Sequence, residues 1–205
     1  MKTVLFVNAC MRGEESRTLA LCRAFLDAVQ RELPVRVIEH DLRTMGLKSV
    51  DADTLAVKEP LCDAHDWSHP LIAPALAFQQ ADMVVVGAPY WDLSFPSVLK
   101  VWVENMYVRN LTFRYEEDQP IGLCVGTESV YITTAGSPIR DDDWGAGYMK
   151  AVLRTLGLRN FTRISAEALD LASSDEKSIM TDALRRVEEA ARTVAARLSS
   201  DLGGR

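Results

Sequence analysis

The chain has 205 residues, of which 48% are hydrophobic, and this predicts a single domain spanning residues 1–205. A net charge of −6 argues against nucleic acid as a partner, because phosphates would be repelled. No apolar run is long enough to cross a bilayer, and the N-terminus lacks the cleavage site of a signal peptide. We therefore expect a cytoplasmic protein with no membrane partner. Its four scattered cysteines are expected to be reduced: Cys10, Cys22, Cys62 and Cys124.

The first half of the chain alternates predicted strands and helices. The run Met83–Gly87 is mostly β-branched, which is typical of a strand buried on both faces of a sheet. Residues 41–70 are less regular and predict a long connection with a short helix. The other elements are a strand at about Thr3–Asn8, a helix at Ser16–Glu32, a strand at Val35–His40 and a helix at Pro74–Gln80.

The second half continues the same alternation. Pro96 predicts the start of a helix over Ser97–Tyr107, because its missing N–H costs nothing there. The remaining elements are a small hairpin over 111–120, a strand at Ser129–Thr134, a helix at Tyr148–Leu156 closed by Gly157, a strand at Phe161–Ala166 and a helix at Asp175–Leu198.

Strands that alternate with helices predict right-handed βαβ units and a parallel sheet. The predicted fold class is therefore α/β, a flavodoxin-like three-layer sandwich with a five-stranded parallel sheet of order 2-1-3-4-5. Ligands of such sheets bind beyond the carboxyl ends of the strands, at the switch point of the strand order. The loops expected to carry function are therefore 8–18, 88–95 and 134–147.

The first of these loops ends in Ser16-Arg17-Thr18 at a predicted helix N-terminus. Free backbone N–H groups and the helix dipole favour a phosphate there, and Arg17 could add charge. The alternative is that Ser16 is only an N-cap. The chain has neither a G-x-x-x-x-G-K-[ST] loop nor a G-x-G-x-x-G after its first strand, which leaves a mononucleotide.

The second and third loops suit a flat ring. Tyr90-Trp91-Asp92-Leu93 offers aromatic side chains and backbone N–H groups after a central strand. In the third loop, Gly136 would let the backbone approach a ligand closely. The alternatives are core packing around Pro89 and Pro96 for the second loop and a plain turn for the third.

The chain resembles the flavodoxin-like NAD(P)H-dependent oxidoreductases, the family of FMN-dependent NADH-azoreductases and NAD(P)H:quinone reductases. The matching pieces occur in family order over nearly the whole chain. They are Val4-Leu5-Phe6-Val7, Ser16-Arg17-Thr18, Ala88-Pro89-Tyr90-Trp91-Asp92-Leu93-Ser94-Phe95-Pro96 with Leu99-Lys100, Thr112-Phe113-Arg114-Tyr115, Gly122-Leu123 and Thr133-Thr134-Ala135-Gly136.

The resemblance implies FMN as cofactor, NAD(P)H as co-substrate and a quinone or azo compound as acceptor. It implies that Ser16, Arg17 and Thr18 hold the phosphate, near Cys10. The ring would lie against Pro89, Tyr90, Trp91, Asp92 and Leu93, with Thr134, Ala135, Gly136 and Ser137 on its far side. Azoreductases of this family often have Asn at the position of Asp92, and a carboxylate cannot donate a hydrogen bond to the ring as an amide does.

The resemblance also implies a homodimer with active sites near the subunit interface. The helix Ser97–Tyr107 carries more large apolar residues than one face can bury, among them Val98, Val101, Trp102 and Met106. We expect a symmetric interface on this helix, with Trp102 or Tyr107 near the partner's flavin.

Flavin chemistry requires no nucleophilic or acid–base side chain, so we assign no catalytic residue and no metal ligand. His65 and His69 lie near Cys62, but a polar loop explains them better than a metal site does. Donor and acceptor would stack on the same open flavin face, which predicts ping-pong kinetics. The alternatives are a flavodoxin-like electron carrier and a non-catalytic interaction protein. The extra segments at 41–70 and 111–123 favour the enzyme over the carrier.

Overall fold

A computed structural model describes residues 1–140 and 143–200 of the chain. The first seven elements are β1 (Lys2–Asn8), α1 (Arg17–Glu32), β2 (Val35–Asp41), α2 (Ala52–Ala64), α3 (Ala73–Gln80), β3 (Met83–Gly87) and α4 (Ser97–Met106). The others are β4 (Phe113–Glu116), β5 (Gln119–Gly122), β6 (Glu128–Thr134), α5 (Trp144–Thr155), β7 (Asn160–Ala166) and α6 (Glu176–Ser200).

Five strands form one sheet of order β2-β1-β3-β6-β7, and every neighbouring pair is parallel. The predicted order 2-1-3-4-5 is confirmed, because β6 and β7 are the fourth and fifth strands of this sheet. Strands β4 and β5 pair with each other in an antiparallel hairpin outside it, also as predicted.

Helices cover both faces of the sheet. Residues of the central strand β3 alternate between the two faces, and all of them are buried. Met83 and Val85 pack with α1 and α6, through residues such as Phe25 and Val187. Val84 and Val86 pack with residues of α3, α4 and α5. This arrangement confirms the three-layer sandwich and explains the continuous apolar run of β3.

The start of α5 differs from the sequence-based prediction. The helix begins at Trp144 rather than Tyr148, because the Asp143 side chain accepts a hydrogen bond from Ala146 N at 2.9 Å and caps it. A Cβ on Gly145 would lie 3.0 Å from the Tyr131 hydroxyl, so this glycine serves close packing rather than a loop. Gly157 follows the helix with φ of +115°, as expected of a C-terminal glycine. Positions 141 and 142 of the predicted loop 134–147 lie outside the described residues, as do 201–205 of the predicted domain.

The expectation that Trp102 lies at a subunit surface is wrong. Trp102 is fully buried, and its Nε1 donates a hydrogen bond of 3.1 Å to Nδ1 of His40. Its ring also meets Phe78 edge-on, with 5.4 Å between the ring centroids. Of the residues singled out on α4, only Val98 and Val101 remain partly exposed, together with Tyr107 just after the helix.

None of the helices in the described ranges 1–140 and 143–200 has the length and apolar character needed to cross a membrane.

Candidate functional site

A pocket opens at the carboxyl ends of β1, β3 and β6, next to the switch point between β1 and β3. Three chain segments and one residue of the β7–α6 connection form its walls. The lining residues are Arg12, Glu15, Ser16, Arg17, Thr18, Pro89, Tyr90, Trp91, Thr134, Gly136 and Asp170.

The first wall is the N-terminus of α1. Ser16 is its N-cap, because Ser16 Oγ accepts a hydrogen bond from Leu19 N at 3.2 Å. A hydroxyl that accepts a hydrogen bond as a cap can still donate one, so capping does not by itself exclude binding. Thr18 is fully buried, and its Oγ1 lies 2.6 Å from Oγ1 of Thr134. This hydroxyl pair connects the start of α1 to the end of β6.

The second wall is the aromatic loop after β3. A reciprocal backbone pair joins Trp91 and Ser94, with N–O distances of 3.3 and 2.7 Å. The two residues between them, Asp92 and Leu93, have φ of 49° and 65°, the left-handed pattern of a type I′ turn. This turn presents Trp91, whose side chain is 40% exposed, at the pocket edge. The Tyr90 N–H donates to the Thr134 carbonyl at 2.9 Å and fixes the loop to β6.

The third wall follows β6 and is fixed by the β7–α6 connection. The N–H groups of Leu169 and Asp170 donate to the carbonyls of Ala135 and Gly136 at 3.1 and 3.0 Å. A Cβ on Gly136 would lie 2.2 Å from Oδ2 of Asp170, so the missing side chain makes room for that carboxylate. The connection therefore brings an acidic side chain to the pocket edge.

Charges of both signs surround the end of the pocket at the start of α1. Arg17 donates to Asp170 at 2.8 Å and to Glu176 at 3.4 Å. Arg12 and Glu15 also line this end. The charge that Arg17 was expected to offer a phosphate is thus shared with two carboxylates.

Glu167 orders the loop beyond β6. Its carboxylate accepts from Ile139 N and Ser165 Oγ, both at 2.7 Å, and from Arg163 at 3.1 Å. Burial raises the pKa of Glu167, but these three donors outweigh it and hold the pKa below its usual value. The carboxylate is therefore ionised at neutral pH and keeps the loop in place.

The structure brings eight of the predicted site residues together in the pocket wall: Ser16, Arg17, Thr18, Pro89, Tyr90, Trp91, Thr134 and Gly136. Asp92, Leu93 and Ser137 are exposed and lie outside the lining. The Ala135 side chain is buried, and its N–H donates to the Ala166 carbonyl at 2.9 Å.

Cys10 is buried beneath the pocket and does not line it. Its Sγ lies 3.6 Å from the Gly87 carbonyl. The neighbouring Cys22 thiol lowers the pKa of Cys10 by hydrogen bonding, while burial raises the pKa of Cys22 well above its usual value. A Cβ on Gly87 would lie 2.5 Å from Cys22 Sγ, so α1 packs directly on the end of β3.

Sequence reasoning missed three lining residues. Arg12 and Glu15 lie within the loop 8–18 that the sequence singles out, but no motif distinguishes them from other charged residues there. Asp170 carried no signal at all, because only the pairing of the β7–α6 connection with residues 135–136 brings it to the pocket.

A metal site finds no support within residues 1–140 and 143–200. These ranges contain no group of three or more His, Cys, Asp or Glu residues that could hold a metal ion. The four cysteines are free thiols, as expected.

The fold and pocket define a flavodoxin-like α/β protein with a pocket at the switch point of its sheet. A family model described as "Flavodoxin-like fold" matches residues 2–191, and the chain belongs to this family.

Curated relatives match along nearly their whole length. The chain is 29% identical to "FMN-dependent NADH:quinone oxidoreductase 2" of Clostridium acetobutylicum, over 94% of this chain and 99% of that protein. It is 29% identical to the FMN-dependent NADH:quinone oxidoreductase of Caldicellulosiruptor saccharolyticus, with the same coverage. Among solved structures, an FMN-dependent NADH-azoreductase from Bacillus anthracis in complex with FMN aligns with a TM-score of 0.83 at 22% identity. That alignment covers 95% of this chain and 100% of the other, and it shows the shared fold.

Proposed function

We propose that this protein is an FMN-dependent oxidoreductase that passes a hydride from NADH, through the bound flavin, to a quinone or azo acceptor. The curated relatives carry this activity in their names and match nearly the full length of the chain. The observation that carries the proposal is a single pocket that combines a helix N-terminus at one end with an exposed tryptophan at the other.

The residues of the pocket fit FMN. At one end, the N–H groups of the first turn of α1, the Arg12 guanidinium and the Ser16 hydroxyl are donors suited to a phosphate monoester. At the other end, Trp91 offers an aromatic face and lines the pocket beside Pro89 and Tyr90. The sequence has no dinucleotide fingerprint, which favours FMN over FAD.

FMN, when bound, supplies a ring nitrogen that accepts a hydride from NADH and gives it up to an oxidised acceptor. The protein's own residues bind and orient. The N-terminus of α1 would hold the phosphate, and the Thr18–Thr134 hydroxyl pair connects this helix to the end of β6. The Trp91–Ser94 turn holds Trp91 as a wall for the ring. No side chain is required as a nucleophile.

We propose further that donor and acceptor use the same open side of the pocket in turn, which gives ping-pong kinetics. The protein would act as a single-domain cytoplasmic enzyme and as a homodimer. Val98, Val101 and Tyr107 remain partly exposed along and just beyond α4 and support an interface there. Sedimentation at micromolar concentration tests the dimer, and a fully active monomer would refute it.

The function is tested by purifying the protein and recording its absorbance spectrum. We expect a flavin spectrum, release of FMN on denaturation, and NADH oxidation that an added quinone or azo compound strongly accelerates. Parallel initial-rate lines would support the shared open side, and intersecting lines would refute it. Bound FAD, or no flavin after reconstitution, would overturn the assignment. FMN binding without NADH oxidation would indicate an electron carrier instead.

A further inference from the structure

The cation at the phosphate end of the pocket already has an anionic partner. Arg17 NH2 lies 2.8 Å from Asp170 Oδ1, and Arg17 NH1 lies 3.4 Å from Glu176 Oε1. The Arg17 side chain is only 27% exposed, so it has little freedom to serve a third anion without leaving one of these two. A ligand phosphate at the start of α1 therefore meets an arginine whose charge is already compensated.

Asp170 is held at the pocket edge by the backbone. Its N–H donates to the Gly136 carbonyl at 3.0 Å, and the preceding Leu169 N–H donates to Ala135 at 3.1 Å. Ala168, just before this pair, has φ of 64°, a left-handed conformation that turns the connection back toward the pocket. The carboxylate lies against Gly136, where no side chain occupies the space.

We propose that Asp170 is a specificity-determining residue that competes with the flavin phosphate for Arg17 and so weakens the binding of the phosphorylated cofactor. The inference rests on the proposed function. Glu15 adds a second negative charge to the same end of the pocket, and Arg12 is the other cation there. This balance of charge lowers the affinity for FMN, while the contacts of its ring are unaffected.

The expected effect is moderate because Asp170 is well exposed. Its side chain is 65% exposed, so water screens its repulsion of a phosphate a few ångströms away. A pair of like charges at such a distance in a water-like medium changes affinity by roughly fivefold. The effect requires the phosphate, so riboflavin, which lacks it, should not respond.

The test compares FMN and riboflavin binding in four proteins: wild type, Asp170→Asn, Arg17→Ala and the double variant. We expect Asp170→Asn to tighten FMN by roughly fivefold, to slow its dissociation, and to leave riboflavin affinity unchanged. The gain in FMN affinity from Asp170→Asn should be smaller in the Arg17→Ala background, because Asp170 and the phosphate can compete only when Arg17 is present. Glu188→Gln is the matched control, since it removes a carboxylate from another exposed pair, with Arg31, outside the pocket lining.

Three results would overturn the inference while the proposed function stands: FMN affinity that is unchanged in Asp170→Asn, FMN affinity that is weakened, or an equal change for FMN and riboflavin. A weakened affinity would mean that Asp170 positions Arg17 for the phosphate. Wild-type protein that binds neither flavin would overturn the proposed function, and the inference with it.

Discussion

Trp102 Nε1 donates a hydrogen bond to Nδ1 of His40, and this pair connects α4 to the end of β2 inside the core. The acceptor nitrogen must be unprotonated for this bond to exist. Burial lowers the pKa of His40 from 6.5 to about 4, which keeps the ring neutral at physiological pH.

This pair predicts a loss of stability in mild acid. The pKa of His40 is 6.5 in the unfolded chain and about 4 in the folded protein. Between these two pH values, His40 is protonated in the unfolded chain and neutral in the folded protein. The free energy of unfolding should therefore fall by about 2 kcal/mol from this group between pH 7 and pH 5. Urea denaturation at both pH values should show a smaller decrease in His40→Gln. The exposed His65, changed to Asn, is the control, and an equal decrease in wild type and His40→Gln would contradict the account.

An ion pair with one fully buried member predicts a large mutational effect on stability. Glu128 is fully buried on β6, and Arg197 of α6 donates to both of its oxygens at 2.9 and 2.8 Å. Arg197→Ala would leave that carboxylate with the Asn160 side-chain amide, which donates to it at 2.6 Å. We expect a loss of about 3 kcal/mol in denaturant unfolding. Arg192→Ala, exposed on the same helix, should cost little, and similar losses in the two variants would disprove the role of the pair.

The hydroxyls at the start of α1 are expected to contribute to phosphate binding. Ser16→Gly combined with Thr18→Val should weaken FMN binding by roughly 1–3 kcal/mol, because hydrogen bonds to a charged group are lost. Glycine retains most of the N-cap stability, which separates binding from folding. Titration with riboflavin provides the control. Unchanged FMN affinity in a normally folded double variant would exclude the hydroxyls as ligands.

Trp91 is expected to affect rate rather than stability. Its side chain is 40% exposed, so Trp91→Ala should leave the melting temperature nearly unchanged. Loss of this wall should misplace the ring and slow both half-reactions by roughly tenfold to a hundredfold. Stopped-flow flavin reduction and reoxidation measure the two steps separately. Leu184→Ala, at an exposed position of α6, is the control. Wild-type rates in Trp91→Ala would show that Trp91 does not contribute to the site.

The turn beside Trp91 stores strain at Leu93. A leucine at φ of 65° is unfavourable because its Cβ crowds the backbone, and its side chain is 65% exposed. Leu93→Gly should therefore stabilise the protein by roughly 0.5–1 kcal/mol. Thermal unfolding measures this, and Leu171→Gly, outside a left-handed turn, should not stabilise. A destabilised Leu93→Gly would show that the leucine side chain contributes packing that outweighs the strain.

Local patterns were sufficient to predict the sheet and most of the pocket. The apolar run of β3 predicts a buried strand, and the hydroxyl-rich start of α1 predicts a capped helix N-terminus. Both predictions succeed because burial and capping depend on only a few neighbouring residues. Gly145 of α5 misled the prediction, because its packing against Tyr131 depends on tertiary contact. The orientation of Trp102 also depends on tertiary contacts. It could not be predicted, because the mixed apolar residues of α4 do not show which side of the helix faces the sheet.

The contact between Gly87 and Cys22 constrains how this sequence can diverge. A Cβ at position 87 would lie 2.5 Å from the Cys22 sulfur, near the start of α1. Alanine at 87 therefore requires the Cys22 side chain to shift or a smaller residue to replace it. Substitutions at the two positions should accordingly be correlated among homologous sequences, with alanine at 87 accompanied by a smaller residue at 22.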